Sequence, residues 1–549
     1  MMKTKRIATL ILALALALGG SCLIPATAAA KDDTVVLRIC NWEEYIDLGG
    51  WEEDETIDLE SGDIIGENSL IEDFEAWYNE THETKVKVEY STFGTNEDLY
   101  NMLTIGDVYD LVCPSEYMIM KLMAEDRVQP LSEGFFDEEK EENYYIRGVS
   151  PYIRNIFETH EINGVTWDRC AAGYMWGVTG FVYNPDVVSE EEASTWKLLG
   201  DPNGREEEKK ENPYHRRITM KDNVRDAYFA AVGALKSDLL TSEEFTGSAD
   251  YATSLQNEMN DVSPETVDMV QDYLQKIKDN LYSFETDSGK ADMITGKVVA
   301  NYQWSGDAVY TMDQAEEDDY YLNFAIPEEC TNIYFDGWVM LKCGIGEDEA
   351  KQEAAEAFIN FISRPDSAIR NMYYIGYTST ISGGEDERIF EYLDWTYGAE
   401  EEEPDDEAET AGGDRETGEE SEPEDDEDEA GEEDGEDAEG EETTVEYDLS
   451  YFFLGMGEHS EDYVLTVPEE QLKRQLSAQY PSEDVIRRAS IMEYFDEAQS
   501  ELINRMWIRV RCFNIKSVPV TVWIVLALAI AGGVFFHFRR KAAKERLYS

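Results

Sequence analysis

The sequence predicts an α/β protein built on largely parallel sheets, and three observations carry that expectation. Short apolar runs, Val35-Val36-Leu37-Arg38-Ile39, Val86 to Tyr90 and Asp110-Leu111-Val112-Cys113, read as strands of a buried sheet. Between and after them, apolar residues fall at helical spacing. Leu70, Ile71, Phe74 and Trp77 share one face of 70–80, and Ala354, Ala357, Phe358, Phe361 and Ile362 share one face of 350–363, where Arg364-Pro365 ends the helix. With 42 % hydrophobic and 12 % aromatic residues, the 549-residue chain can bury a large core. Strands alternating with helices imply βαβ units.

Taken in order along the chain, residues 1–30 read as a secretory signal. Lys3, Lys5 and Arg6 precede an apolar run from Ile7 to Leu18, and Ala26-Thr27-Ala28 supplies a small-residue cleavage site. Gly19-Gly20-Ser21 lacks the Leu expected three residues before a lipidated Cys22. Residues 400–442 hold 27 Asp and Glu against one basic residue, Arg415, with no aromatics to offset the entropy of ordering. They read as a disordered acidic insert that splits the folded body, because Val445 to Arg511 regains apolar patterning. Tyr480 to Trp507 reads as one long amphipathic helical stretch. Val518 to Phe538 contains no Asp, Glu, Lys or Arg over 21 residues, enough to cross a bilayer. Arg539, Arg540, Lys541, Lys544 and Arg546 follow it and place the 539–549 tail in the cytoplasm. The expectation is an exported body on the outer face of the membrane, tethered by a C-terminal helix at 518–538.

The formal net charge is −75, from 45 Lys and Arg and 120 Asp and Glu. The insert accounts for −26 of it, so the rest is acidic in its own right. Such a field repels phosphate backbones, which excludes nucleic acid as a partner, and attracts cations. None of the five His lies in H-E-x-x-H, no Cys and His spacing suits zinc, and neither a G-x-S-x-G elbow nor a Walker A loop occurs. An enzyme is not indicated, and no cofactor or metal is implied. Export permits disulfides, and Cys330 and Cys343 are spaced to pair across a hairpin, although connectivity does not follow from spacing.

Four candidate strand edges share one chemistry. The first strand runs into Asn41-Trp42-Glu43-Glu44-Tyr45 and the second into Pro114-Ser115-Glu116-Tyr117. Tyr302-Gln303-Trp304-Ser305-Gly306-Asp307 and Tyr334-Phe335-Asp336-Gly337-Trp338 supply the others. Ligands of α/β proteins bind at the carboxyl ends of strands. Aromatic faces offer cation–π and methylene contacts, and carboxylates pair with ammonium groups, so these edges suit a flexible organic cation.

Leu37 to Tyr45 (LRICNWEEY), Tyr109 to Tyr117 (YDLVCPSEY), Trp176-Gly177-Val178-Thr179-Gly180, Asp222 to Asp226 (DNVRD), Phe358 to Asp366 (FINFISRPD) and Ile375-Gly376-Tyr377-Thr378 occur in an order that resembles bacterial spermidine/putrescine-binding proteins of ABC transporters. The resemblance covers roughly 34–395 and resumes near 478–508. It implies a two-lobed, type II periplasmic-binding-protein-like fold. Lobe 1 would span 34–178, completed by about 338–395, and lobe 2 would span 179–337, completed by about 444–510. It also implies a polyamine held between the lobes by Trp42, Glu44, Tyr45, Ser115, Tyr117, Asp226, Trp304, Tyr334, Asp336 and Tyr377. Glu43 adds an acid where the family often has a small polar residue, and Asn223 stands where some members have Asp. Tyr334 replaces a tryptophan, and the late Gln of some members is not reproduced, with Ser482 nearby. The implied partners are a membrane permease and a separate ATPase. Two alternatives use other features: a membrane-anchored acidic surface protein binding calcium, resting on the insert, and a ferric or other small-solute receptor, resting on Tyr373-Tyr374.

Overall fold

The structure, a computed structural model, describes residues 34–52, 55–200, 213–399 and 443–512. The predicted signal at 1–30, the acidic insert at 400–442 and the apolar span at 518–538 with its tail lie outside the described residues. Among the described residues, no helix is long and apolar enough to cross a membrane.

A twelve-stranded sheet organises the chain. Its main strands are β1 (Thr34–Trp42), β2 (Lys85–Phe93), β3 (Leu111–Val112), β4 (Ala172–Tyr183), β5 (Ile218–Lys221), β6 (Ser283–Glu285), β7 (Ala300–Trp304) and β8 (Thr331–Leu341). They lie in the order β2-β1-β3-β8-β4-β7-β5-β6. The two wings are parallel, as expected: β1 pairs with β2 and β3, and β5 with β7 and β6. The centre is not. β8 is antiparallel to both β3 and β4, and β4 is antiparallel to β7. These two central strands are buried along their full lengths. They carry near-continuous apolar runs because both faces are covered and neither offers a solvent side. Each serves both wings. Val339 and Met340 of β8 pair with β3, while Ile333 to Asp336 pair with β4, whose far end pairs with β7.

Helix 70–81 begins at Ser69, whose hydroxyl accepts from the Glu72 backbone while Glu72 reaches back to the Ser69 backbone, and it buries Leu70, Phe74 and Tyr78. Helix 349–362 packs Phe358 edge-on to Phe74, at 5.1 Å between ring centres, and to Trp338, at 5.3 Å. It stops at Ser363, and Pro365 opens the next helix, 365–375, where its missing N–H costs nothing.

Two expectations are corrected. Residues 480–507 do not form one helix. Helices 483–487 and 497–511 are separated by Ala489-Ser490, which pairs with β8. Gln256 and Asn260 hold the next turn of chain by donating to the Ile491 carbonyl at 2.8 and 2.9 Å. Asp496 and Gln499 then form a fresh capping box. Cys330 and Cys343 do not face each other across a hairpin. Both are free thiols, and they flank the eleven-residue strand β8. At about 3.3 Å per residue that strand holds them far apart. After residue 443 the chain rejoins the same core. Ala399 donates to Thr466, and Tyr397 donates to Gln479 at 2.8 Å.

One buried ion network fixes the loop that follows β1. Arg370 donates through Nε to Asp47 at 2.7 Å and through Nη1 to Asp73 at 2.7 Å, and Asp47 is fully buried. Asp47 also accepts from the Gly49 backbone and the Trp51 indole. Replacing Arg370 with Met strands the Asp47 charge, so a loss of about 3–5 kcal/mol is expected in urea unfolding. A loss below about 1 kcal/mol would show that this network does not anchor the loop.

Candidate ligand-binding cleft

The wings meet at a cleft of about 820 Å³. All eleven residues singled out from the sequence line it: Trp42, Glu43, Glu44, Tyr45, Ser115, Tyr117, Asp226, Trp304, Tyr334, Asp336 and Tyr377. Trp42 and Trp304 close β1 and β7, Glu43 to Tyr45 and Ser115 and Tyr117 follow β1 and β3, Asp226 lies in the helix after β5, and Tyr377 in the loop before Thr378. Tyr334 and Asp336, expected at a strand edge, instead lie midway along β8, where it crosses between the wings.

Asp336 is the centre. The pairing of β8 with β4 slips between Asp336 and Gly337, and Asp336 bridges back to Ser115. Such a bulge re-aims a side chain next to a site. The Tyr45 hydroxyl donates to Asp336 Oδ2 at 2.6 Å and the Ser115 hydroxyl to Oδ1 at 2.7 Å. Asp336 is 4 % exposed, and among the described residues no cation pairs with it. Burial raises its carboxyl to about 6, against the lowering effect of the two hydroxyls. Behind Ser115, Asn96 donates to both the Ser115 and Tyr117 hydroxyls at 3.0 Å.

The walls are aromatic. Tyr45 meets Tyr377 edge-on at 4.8 Å and Tyr174 at 5.6 Å, and Tyr334 lies 6.5 Å from Tyr377. Trp42 leans on Phe93 at 4.7 Å. Gly306 is required for this packing, because a Cβ there would sit 2.1 Å from the Tyr377 ring.

The other wing supplies Asp226, in the first turn of helix 224–235. Asn223 caps that helix, accepting from the Arg225 and Asp226 backbones, so the side chain of Asp226 is free of capping duty. Trp304 Nε1 donates to Asp226 Oδ1 at 3.3 Å. Burial raises Asp226 to about 6, outweighing Lys221 and the indole bond. Arg225 does not pair with its neighbour. Its guanidinium stacks between Tyr117, at 4.5 Å, and Phe495, at 3.9 Å, and donates to the Glu493 carbonyl at 2.7 Å. It thereby ties the two wings together.

Sequence reasoning missed three contributors. Lys221, 2 % exposed, reaches Asp307 at 2.9 Å and stands 3.9 Å from the Trp304 ring centre. Lys290 lines the cleft beside Asp287 and Asp307. Glu116 is buried and accepts from the Phe335 backbone at 3.1 Å, and burial pushes its carboxyl up to about 8. Glu116 was visible as the neighbour of Ser115. The lysines had no local signal, since their partners come from elsewhere in the chain. Tyr373 and Tyr374 diverge: Tyr373 packs on Trp51 at 4.9 Å, and Tyr374 joins the cleft wall.

A family model described as bacterial extracellular solute-binding protein matches residues 69–388. The spermidine/putrescine-binding periplasmic protein of Salmonella typhimurium is 26 % identical over 361 residues, covering 65 % of this chain and 81 % of that protein. The putrescine-binding periplasmic protein PotF of Escherichia coli is 24 % identical over 350 residues, covering 62 % and 76 %. A solved structure assigned to a spermidine/putrescine ABC transporter of Listeria monocytogenes covers 87 % of this chain and 99 % of its own, with a TM-score of 0.52 at 18 % identity, a likeness of fold. A periplasmic-binding-protein-like α/β fold, a cleft between two sheet wings and a family match over more than half its length make this chain a member of the bacterial extracellular solute-binding proteins.

Proposed function

We propose that this protein is the polyamine-capturing receptor of an ABC transporter, taking putrescine or spermidine into the cleft and delivering it to a permease served by a separate ATPase. The observation that carries the reading is Asp336. A buried carboxylate fixed by two hydroxyls, walled by Tyr45, Tyr334 and Tyr377 and paired with no cation among the described residues, has an unmet demand for an ammonium group. The names of the matched relatives point the same way.

In this reading, aromatic rings cover the methylene chain, Asp336 and Asp226 meet ammonium groups in the buried part of the cleft, and Glu44 adds negative charge at its exposed rim. The residues proposed as lobes, 34–178 with 338–395 and 179–337 with 444–510, close by hinge motion. Arg225 on Tyr117 and Tyr377 on Asp307 are contacts that closure makes between them. The apolar span at 518–538 holds the receptor on the outer face of the membrane, where tethering raises its effective concentration at the permease.

Calorimetry on the full-length chain in neutral detergent tests this. At about 0.5 M salt, where exposed charges are screened, one-to-one saturable binding of putrescine or spermidine is expected. Weak, multi-site binding that salt abolishes would instead mean nonspecific attraction to acidic surface. A thermal response to calcium alone would favour the calcium-binding alternative.

A further inference from the structure

The cleft carries cations of its own, and their placement bears on how many a ligand can bring. Of its buried acids, Glu116 is held protonated by burial near neutral pH. Asp307 is shared by Lys221 Nζ, at 2.9 Å, and Lys290 Nζ, at 3.7 Å. At the exposed edge of the cleft, Asp287 is paired to Lys290 at 2.7 Å. Among the described residues, that leaves two buried cleft carboxylates outside any ion pair, Asp226 and Asp336.

Lys290 differs from Lys221. Lys221 lies behind Trp304, whereas Lys290 lines the cavity, with its ammonium 5.2 Å from the Tyr310 ring centre. Burial works against its charge, but Asp307, Asp287 and the rim acid Glu44 more than compensate and hold it above the ordinary lysine range. It is therefore a permanent cation in the wall.

We propose that Lys290 is a specificity-determining residue, the cleft's own third ammonium, which restricts the ligand to two and selects a diamine such as putrescine over a triamine such as spermidine. The inference rests on the polyamine reading above. A third ligand ammonium would meet the like charge of Lys290, whose partners Asp307 and Asp287 are already neutralised, and beyond them only the exposed rim acids Glu43 and Glu44, whose charge water and salt screen. Two ligand ammonium groups match two unpaired buried carboxylates.

The test uses the full-length chain in neutral detergent at high salt, titrated with putrescine and spermidine. Wild type is expected to bind putrescine more tightly. Lys290→Met removes the charge and frees Asp287, and should raise the spermidine-to-putrescine affinity ratio at least about tenfold. Lys290→Arg keeps the charge and should keep the ratio. A folded Lys290→Met protein with an unchanged ratio, or a wild type that prefers spermidine, overturns the proposal and leaves the receptor reading standing. Should the Met variant fail to fold, mono-N-acetylspermidine on wild type gives the same answer. With one ammonium removed it should bind more tightly than spermidine, and equal or weaker binding overturns the proposal. No binding of any amine by wild type overturns the receptor reading and this proposal with it.

Discussion

Asp336→Asn is expected to lose polyamine binding and to melt at a higher temperature than wild type. The two effects share one cause. The carboxylate is buried, held by Tyr45 and Ser115, and paired with no cation among the described residues. Removing one partner of a buried, hydrogen-bonded charge pair costs about 2–4 kcal/mol of binding, or roughly 30- to 1000-fold in Kd. In the empty protein the same charge is a burden. Its folded pKa, about 6, is raised above the unfolded carboxylate value. A carboxyl shifted this way adds nothing unfavourable below the unfolded pKa near 4, and its cost to folding grows as pH rises and is complete above about 6. Two pH units correspond to about 3 kcal/mol, an upper bound on the stability gained by the amide at pH 7.5. The checks are calorimetric titration and a thermal melt of the unliganded variant. Retained binding would remove Asp336 from the site. A melting temperature well below wild type would mean that Asp336 holds the β8 bulge together rather than waiting for a ligand.

Polyamine affinity is expected to fall steeply below pH 6. Asp226 and Asp336 both titrate near 6 in the empty cleft, each raised mainly by burial, and neither figures among the main influences on the other. An ammonium ligand binds the ionised forms, so below pH 6 each carboxyl must release a proton on binding. With both groups engaged, log affinity rises with pH at a slope approaching two, or about a hundredfold per unit, and levels off above about pH 7. At pH 6 each group is half protonated, so binding releases about one proton in total, measurable by calorimetry in buffers of different ionisation enthalpy. Asp336→Asn and Asp226→Asn should each reduce the limiting slope to about one. A flat profile between pH 5 and 7 would show that neither carboxylate meets the ligand's charge.

Part of the cleft was legible from the residue pattern because Trp42, Tyr45, Ser115, Tyr117 and Trp304 sit at or just after strand ends, whereas Tyr334 and Asp336 lie midway along β8. Trp42 and Tyr45 follow one apolar run, Ser115 and Tyr117 follow another, and strand ends of an α/β sheet converge on one edge. The parallel wings and helices 70–81 and 349–362 followed from the spacing of apolar residues. Local patterning failed where a distant side chain set the backbone. The helical pattern across 480–507 was interrupted because Gln256 and Asn260 capture the chain at Ile491 and β8 pairs with Ala489-Ser490. The Cys330 and Cys343 pairing failed because a run read as a hairpin is one extended central strand.

The sequence by itself determined the fold class and the acidic character, since these depend on composition and on short-range periodicity, whereas the eleven residues of the cleft as a set were legible only through the order of motifs that resembles a known family. Only the tertiary structure decided the electrostatic state of each. Asp226, Asp307 and Asp336 are chemically identical in the chain. Burial leaves Asp226 and Asp336 near 6, while Lys221 and Lys290 hold Asp307 below the ordinary carboxylate range despite its burial. Whether an acid awaits a ligand or is already satisfied depends on depth and on neighbours brought in from elsewhere in the chain, and those exist only once the chain has folded.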